Sequence, residues 1–312
     1  MSHDRRLRRR GGLIISRRQL ICAMASVAFI PSRAPAATPL LVIRPAPESP
    51  GDTRYDYYWQ LLAQALAVTE AQFGPYDLRV ATAAMNEARS LRELEIGSRR
   101  ITILVHGNIA DYEQRLLPIR FPLDKGLLGY RVFLMREQAQ PELDTVNSLE
   151  GLRRFRIGQG QGWGDVVILR HAGLTVVEGG SYDGLFSMLS AGRFELFSRG
   201  VVEVGEELAR EQQVHPDLVI ERHLMLHYTL TRYFYVTRSA EGEALAKRIS
   251  VGLEQMLKEG TFDRMLEEFK APFDKQIGFR NRVIIRIDNP LQTPETPLNR
   301  PESQMMPAGY LC

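Results

Sequence analysis

The run Ile157-Gly158-Gln159-Gly160-Gln161-Gly162-Trp163-Gly164-Asp165 follows the strand-like RRFR and leads into the helix-like VVILRHAG. A dinucleotide fingerprint needs a third glycine three residues after the second, and a phosphate loop needs Gly-Lys followed by Ser or Thr. Counted from Gly158 and Gly160 the third place is Trp163, counted from Gly160 and Gly162 it is Asp165, and no lysine lies nearby. The nucleotide reading fails on spacing. What remains is a glycine-rich entry to a helix, whose free backbone N–H groups and positive dipole end suit a polar or anionic ligand group.

Outward from this turn, short apolar runs alternate with amphipathic stretches. LLVIRP, YDLRVATA and RITILVHG read as strands, with YYWQLLAQALAVTEAQ and NEARSLRELEIG as helices between them. A second cycle runs through RRFRI, the helix GDVVILRHAG, the strand LTVVEG, the helix YDGLFSMLSAG and the strand RFELFS. Two such cycles predict two α/β lobes with helix-covered sheets. LPIRFPLDKGLLGYRVFLMREQ and LMLHYTLTRYFYVTR, rich in strand formers and too long for turns, are expected to cross between lobes. The chain then returns to helices with GEALAKRISVGLEQMLKEG and TFDRMLEEF.

Three stretches, SLEGLRRFRIGQGQG, GLFSMLSAGRFELF and YFYVTRSAEGEALAKRISVGLEQMLKEGTFDRML, resemble in order the opening of lobe two, its helix-to-strand passage and the return to lobe one in periplasmic solute-binding proteins. The likeness, over roughly residues 40 to 270, is to the bacterial extracellular family that serves polar amino-acid importers. It implies an α/β, two-lobed periplasmic-binding-protein fold (type II-like) with two crossing segments. The expected boundaries are 37–138 with 232–275 for lobe one, 139–231 for lobe two and 276–312 for a Pro-rich extension. The implied function is capture of a small polar or anionic solute between closing lobes, for an ABC-type importer. A sensory or structural module without importer and a lyase-type cleft enzyme are the alternatives. No cofactor is implied, and a monomer with a membrane permease or sensor as partner is expected.

The resemblance also places candidate ligand residues. Arg115, in NIADYEQRLLPIRFP, matches the family's carboxylate-gripping arginine, six residues before Phe121; a guanidinium forks onto two oxygens. At the helix entry, where amino-acid binders have hydroxyl residues, stand Trp163 and Gly164, and Gly200 beside Arg199 replaces their aspartate. These departures argue against an α-amino acid and for an anionic or planar solute. Trp163 offers a ring for stacking and Arg199 a charge that attracts an anion. Gln161 in the glycine loop, Tyr57 in the aromatic group Tyr55, Tyr57, Tyr58 and Trp59, and Asn108 after the third strand complete the set.

Other signals are weaker. His223 and His227 sit four apart but in a strand-like context without a third ligand, and Glu203, Glu206 and Glu207 read as a solvated helix face. No nucleophile elbow occurs, since GGSYDG lacks its spacing. RVIIRID is expected to add a strand to a lobe edge, and NPLQTPETPLNRPESQMMPAG to lie extended over the surface or disordered.

The first 36 residues read as an export signal: seven arginines precede the apolar run LICAMASVAFI, and Ala34-Pro35-Ala36 forms a cleavage site. SRRQLI, from Ser16 to Ile21, resembles the twin-arginine motif, with the general secretory route as the alternative. The expected location is the periplasm. The leader holds eight of the 40 basic and one of the 37 acidic residues, so the rest carries 32 against 36, a net charge of −4. Nucleic-acid binding then has no compositional support. Cys22 leaves with the leader and Cys312 stands alone, so no intrachain disulfide forms after cleavage.

Overall fold

Residues 38–48, 51–278 and 281–296 are described by a computed structural model. The expected export signal, its twin-arginine stretch, Cys22 and Cys312 lie outside these residues. The first cycle runs Leu40–Arg44 (β1), Asp56–Val68 (α1), Glu70–Phe73 (α2), Tyr76–Val80 (β2), Glu87–Glu95 (α3) and Ile103–Gly107 (β3), in the order expected. Tyr58, Leu61, Leu62, Ala65 and Leu66 of α1 are buried, a spacing that puts all five on one helical stripe. Asn86 starts α3 by accepting from the Arg89 amide. Ala110–Arg115 (α4) and Leu117–Ile119 (β4) follow.

The chain then enters a second sheet through Tyr130–Arg136 (β5), Gln140–Leu143 (α5), Leu149–Leu152 (α6), Arg156–Gly160 (β6), Gly164–His171 (α7), Thr175–Gly179 (β7), Tyr182–Ser190 (α8), Leu196–Gly200 (β8), Val204–Glu211 (α9), Leu218–Ile220 (β9) and Leu224–His227 (β10). Arg232–Val236 (β11), Ala240–Lys258 (α10) and Thr261–Ile277 (α11) return to the first sheet, and Val283–Arg286 (β12) goes back to the second.

The first sheet has the order β3-β11-β4, antiparallel, with the parallel pair β1-β2 held beside it where Thr102 N–H donates to the Ile43 carbonyl at 2.8 Å. The second has seven strands in the order β12-β10-β5-β8-β6-β7, with β9 also on β5. Both stretches expected to cross do so: β4 and β11 belong to the first sheet, β5 and β10 to the second. The crossings run side by side, Tyr228 N–H donating to the Gly129 carbonyl at 3.1 Å.

RVIIRID forms β12, parallel to β10 with Val283 opposite Leu224. The segment after it departs from the expectation of an extended surface tail. Thr293 and Thr296 are buried, and their hydroxyls meet the Asn108 side chain.

Candidate functional site

β5, β8 and β11 each carry a buried arginine among largely apolar residues: Arg131, Arg199 and Arg232. All three side chains are buried, where an unpaired charge is too costly to persist. They converge on Glu203, in the turn between β8 and α9. Arg199 Nη2 lies 3.0 Å from its carboxylate, Arg232 Nη2 3.3 Å and Arg131 Nη1 3.8 Å. Glu207, one helical turn on, takes the rest of Arg199 through Nε at 2.7 Å and Nη2 at 2.5 Å. Asp165, in the first turn of α7, pairs with Arg131 Nη2 at 2.7 Å and accepts from the Tyr228 hydroxyl. Burial by itself would raise the Glu203 pKa, but Arg199, Arg232 and Arg131 hold its carboxyl far below the ordinary range.

Arg131, Arg199, Arg232, Glu203 and Asp165 line a cavity of about 50 Å³ between the sheets, with Tyr55, His106, Ile109 and Trp163 also on its wall. Arg54 forms another wall, forked onto Asp52 at 2.7 and 2.8 Å, with its guanidinium 4.0 Å from the Tyr182 ring centroid. His106 bonds Glu87 at 3.0 Å and the carbonyl of the neighbouring Gly107 at 2.8 Å, and stacks on Tyr112. Burial alone would favour the neutral ring, yet Glu87 holds the His106 pKa above its ordinary value.

Three guanidinium nitrogens are left over. Nε and Nη1 of Arg232 and Nε of Arg131 have no hydrogen-bond partner among the described residues, although these residues are only 5% and 3% exposed. Arginine donates and cannot accept. A small hydrogen-bond acceptor that reached these nitrogens would be held by charge-assisted bonds.

Of the six candidate ligand residues named from the sequence, the cavity brings together two. Arg199 lies 5.0 Å from the centroid of the Trp163 ring, and both line the wall. The ring also packs over Phe197 and against Gly160, where an added Cβ would come within 2.3 Å of it. That contact explains one glycine of the opening run, and Gly162, at φ +84°, another. Gln161 is exposed and lines a neighbouring open groove with Gly180 and Asp183. Tyr57 stacks on Phe269 at 4.0 Å and donates its hydroxyl to the Leu123 carbonyl. Asn108 donates to Thr296 at 2.7 Å and accepts from the Tyr235 hydroxyl at 3.3 Å. Arg115 is absent from the cavity wall, its guanidinium holding Glu95 at 2.9 Å and Asp111 at 3.1 Å on the surface.

The acidic group also differs from the solvated face expected. Glu206 is exposed, but Glu203 and Glu207 are buried as partners of the strand arginines. Arg131 and Arg232 were not among the candidates; their signal is a lone charge inside GYRVFLM and LTRYFYV, stretches otherwise suited to a buried strand. His223, just before β10, bonds the Val146 carbonyl through Nε2 at 2.8 Å, and His227, at the end of β10, lies against the Tyr130 ring.

The sequence matches no protein-family model and no curated protein. Solved structures do match. An ancestral arginine-binding protein bound to arginine covers 75% of this chain and 99% of its own, at 15% identity and a TM-score of 0.53. An arginine-specific periplasmic binding protein of Salmonella typhimurium covers 74% and 99%, at 16% identity and a TM-score of 0.54. A histidine kinase sensor domain with similarity to periplasmic binding proteins covers 74% and 95%, at 16% identity and a TM-score of 0.51. The chain thus has the two-lobed α/β fold of periplasmic solute-binding proteins, and its structural neighbours include amino-acid-binding members. No helix among the described residues is long and apolar enough to cross a membrane.

Proposed function

We propose that this chain is an exported receptor that captures a small polar or anionic solute between its lobes and presents it to an ABC-type importer. The observation that carries the reading is the set of guanidinium nitrogens without hydrogen-bond partners on Arg131 and Arg232, two arginines that line a small polar cavity at the seam of the two sheets. A buried donor without a partner is costly, so an acceptor that supplies the missing bonds is held strongly. In this reading Trp163 and Arg199 form the wall, and Arg131 and Arg232 take the solute's oxygens.

Size narrows the class. About 50 Å³ is far below the roughly 300–1,000 Å³ of pockets for drug-sized ligands, and above the roughly 10–15 Å³ that one water needs. The solute is one of few heavy atoms, such as an inorganic oxyanion or a short carboxylate. Lobe one in this account is built on the first sheet and lobe two on the second, with the change at Gly129 and near Thr229. Likeness to a sensor domain supports a second reading, in which the partner is a membrane sensor and the solute a signal. Chemistry on the solute is not part of either.

A thermal-shift panel of phosphate, sulfate, acetate, oxalate, glutamate and arginine tests the reading. A ligand that binds only the folded state stabilises it by about 2.7 kcal/mol at a hundredfold excess over its Kd. Stabilisation by one of the small oxyanions is expected. No response to any compound of this kind would set the receptor reading aside.

A further inference from the structure

Two crossings join the sheets of such a receptor, and rotation about a pair of crossings is how lobes open and close. Here a third connection exists. After α11 the chain does not stop at the first sheet: Arg282 donates to the carbonyls of Ile277, Glu221 and Leu224 at 2.6 to 2.9 Å, and β12 adds itself to β10. Ile287 N–H closes that ladder on the His227 carbonyl at 3.0 Å. The segment then runs along the second crossing, where the Asn289 amide donates to the Thr229 carbonyl at 2.7 Å. It ends on the other lobe. Ala110 N–H, at the start of α4, donates to the Leu291 carbonyl at 3.0 Å, Asn108 donates to Thr296, and Thr293 donates to buried Glu113 at 3.1 Å.

Leu291 sits where the two lobes touch. An added Cβ on Gly164, in the turn of the second sheet, would stand 3.2 Å from Ile109 of the first and 3.6 Å from Leu291. The leucine packs against the apolar clusters of both lobes. Ile109, between Asn108 and Ala110, lines the cavity from lobe one, so the segment fastens an element of the cavity wall.

We propose that Arg282–Thr296 is a built-in strap that holds the lobes at their closed separation without a solute. The strap is anchored on both lobes in this arrangement, and contacts made in one state only would bias the equilibrium toward that state. The proposal concerns the lobes alone and stands or falls separately from the nature of the solute.

Paired spin labels test it, at Ile96→Cys in the first lobe and Val214→Cys in the second, both exposed, in a chain with Cys22→Ser and Cys312→Ser. Without solute a single narrow distance is expected. Leu291→Ser, which removes the wedge, and Asn108→Ala, which removes an anchor but leaves β12 intact, should each lengthen and broaden it with the circular dichroism unchanged. The same narrow distance in a folded Asn108→Ala chain, or a broad one in the parent, would overturn the strap. If both variants lose their fold, hydrogen exchange of the unaltered chain decides: slow exchange at Ala110 supports the strap, and exchange at the rate of an unprotected amide refutes it.

Discussion

Glu203 is the residue on which the arginines of β5, β8 and β11 depend, and its replacement should be the most damaging single change at the seam. Glu203→Gln leaves three buried guanidinium groups with one carboxylate fewer, and removing one partner of a buried ion pair costs about 3–5 kcal/mol. Urea denaturation should show a loss of that order; a loss under about 1 kcal/mol would mean that the arginines find other partners. The pH dependence has a definite sign. Because the folded pKa of Glu203 is depressed, its contribution is fully present above the unfolded value of 4.5 and is lost as pH falls below it. Arg115 should behave in the opposite way. Its pairs with Glu95 and Asp111 lie at the surface, where water screens them and such pairs contribute little, so Arg115→Ala should leave both the melting temperature and the solute response nearly unchanged. The sequence pointed to Arg115 and not to Arg131 or Arg232, because the family resemblance and the spacing from Phe121 are visible in a linear chain. Which strand arginines share one carboxylate is decided only when β5, β8 and β11 lie side by side.

At the scale of elements, the turn from β6 into α7 was readable and its detailed use was not. Its failure as a nucleotide loop follows from counting glycines, but the reason for Gly160 is the Trp163 ring lying on it. Gly160→Ala should force that ring outward and destabilise the fold by about 1–3 kcal/mol, as overpacking does, with a change in tryptophan fluorescence; an unaltered spectrum and melting temperature would show the ring to be free to move. The β10–β12 pair gives a second test. His227 stands opposite Arg286 and against the Tyr130 ring, and burial, then the Arg286 charge, lowers its pKa to about 4. Between pH 6.5 and about 4 the unfolded chain binds a proton there that the folded chain does not, so stability falls as pH falls through this window. The loss amounts to about 3 kcal/mol at 1.36 kcal/mol per pH unit. His227→Gln should flatten the stability profile between pH 6.5 and 4, and a profile identical to the parent would contradict the assignment. The His223/His227 spacing carried no such information; only the register with β12 does.

For the whole molecule, the alternation of strands and helices was enough to read two α/β lobes and two crossings, because burial of apolar faces dictates both periods locally. The return of the chain to the second sheet as β12, and the docking of Thr293 and Thr296 on Asn108, are long-range events that Pro-rich composition conceals. The central claim is that the unpaired donors of Arg131 and Arg232 hold the solute's oxygens. Calorimetric titration tests it most directly, with the strongest stabiliser of the panel added to the parent chain and to Arg232→Met, a substitution that keeps bulk over Tyr58 and removes the donors. Loss of a charge-assisted contact of about 2 kcal/mol or more predicts at least about a 30-fold weaker Kd in a variant that remains folded. An unchanged Kd in folded Arg232→Met would contradict the claim and move the binding site elsewhere.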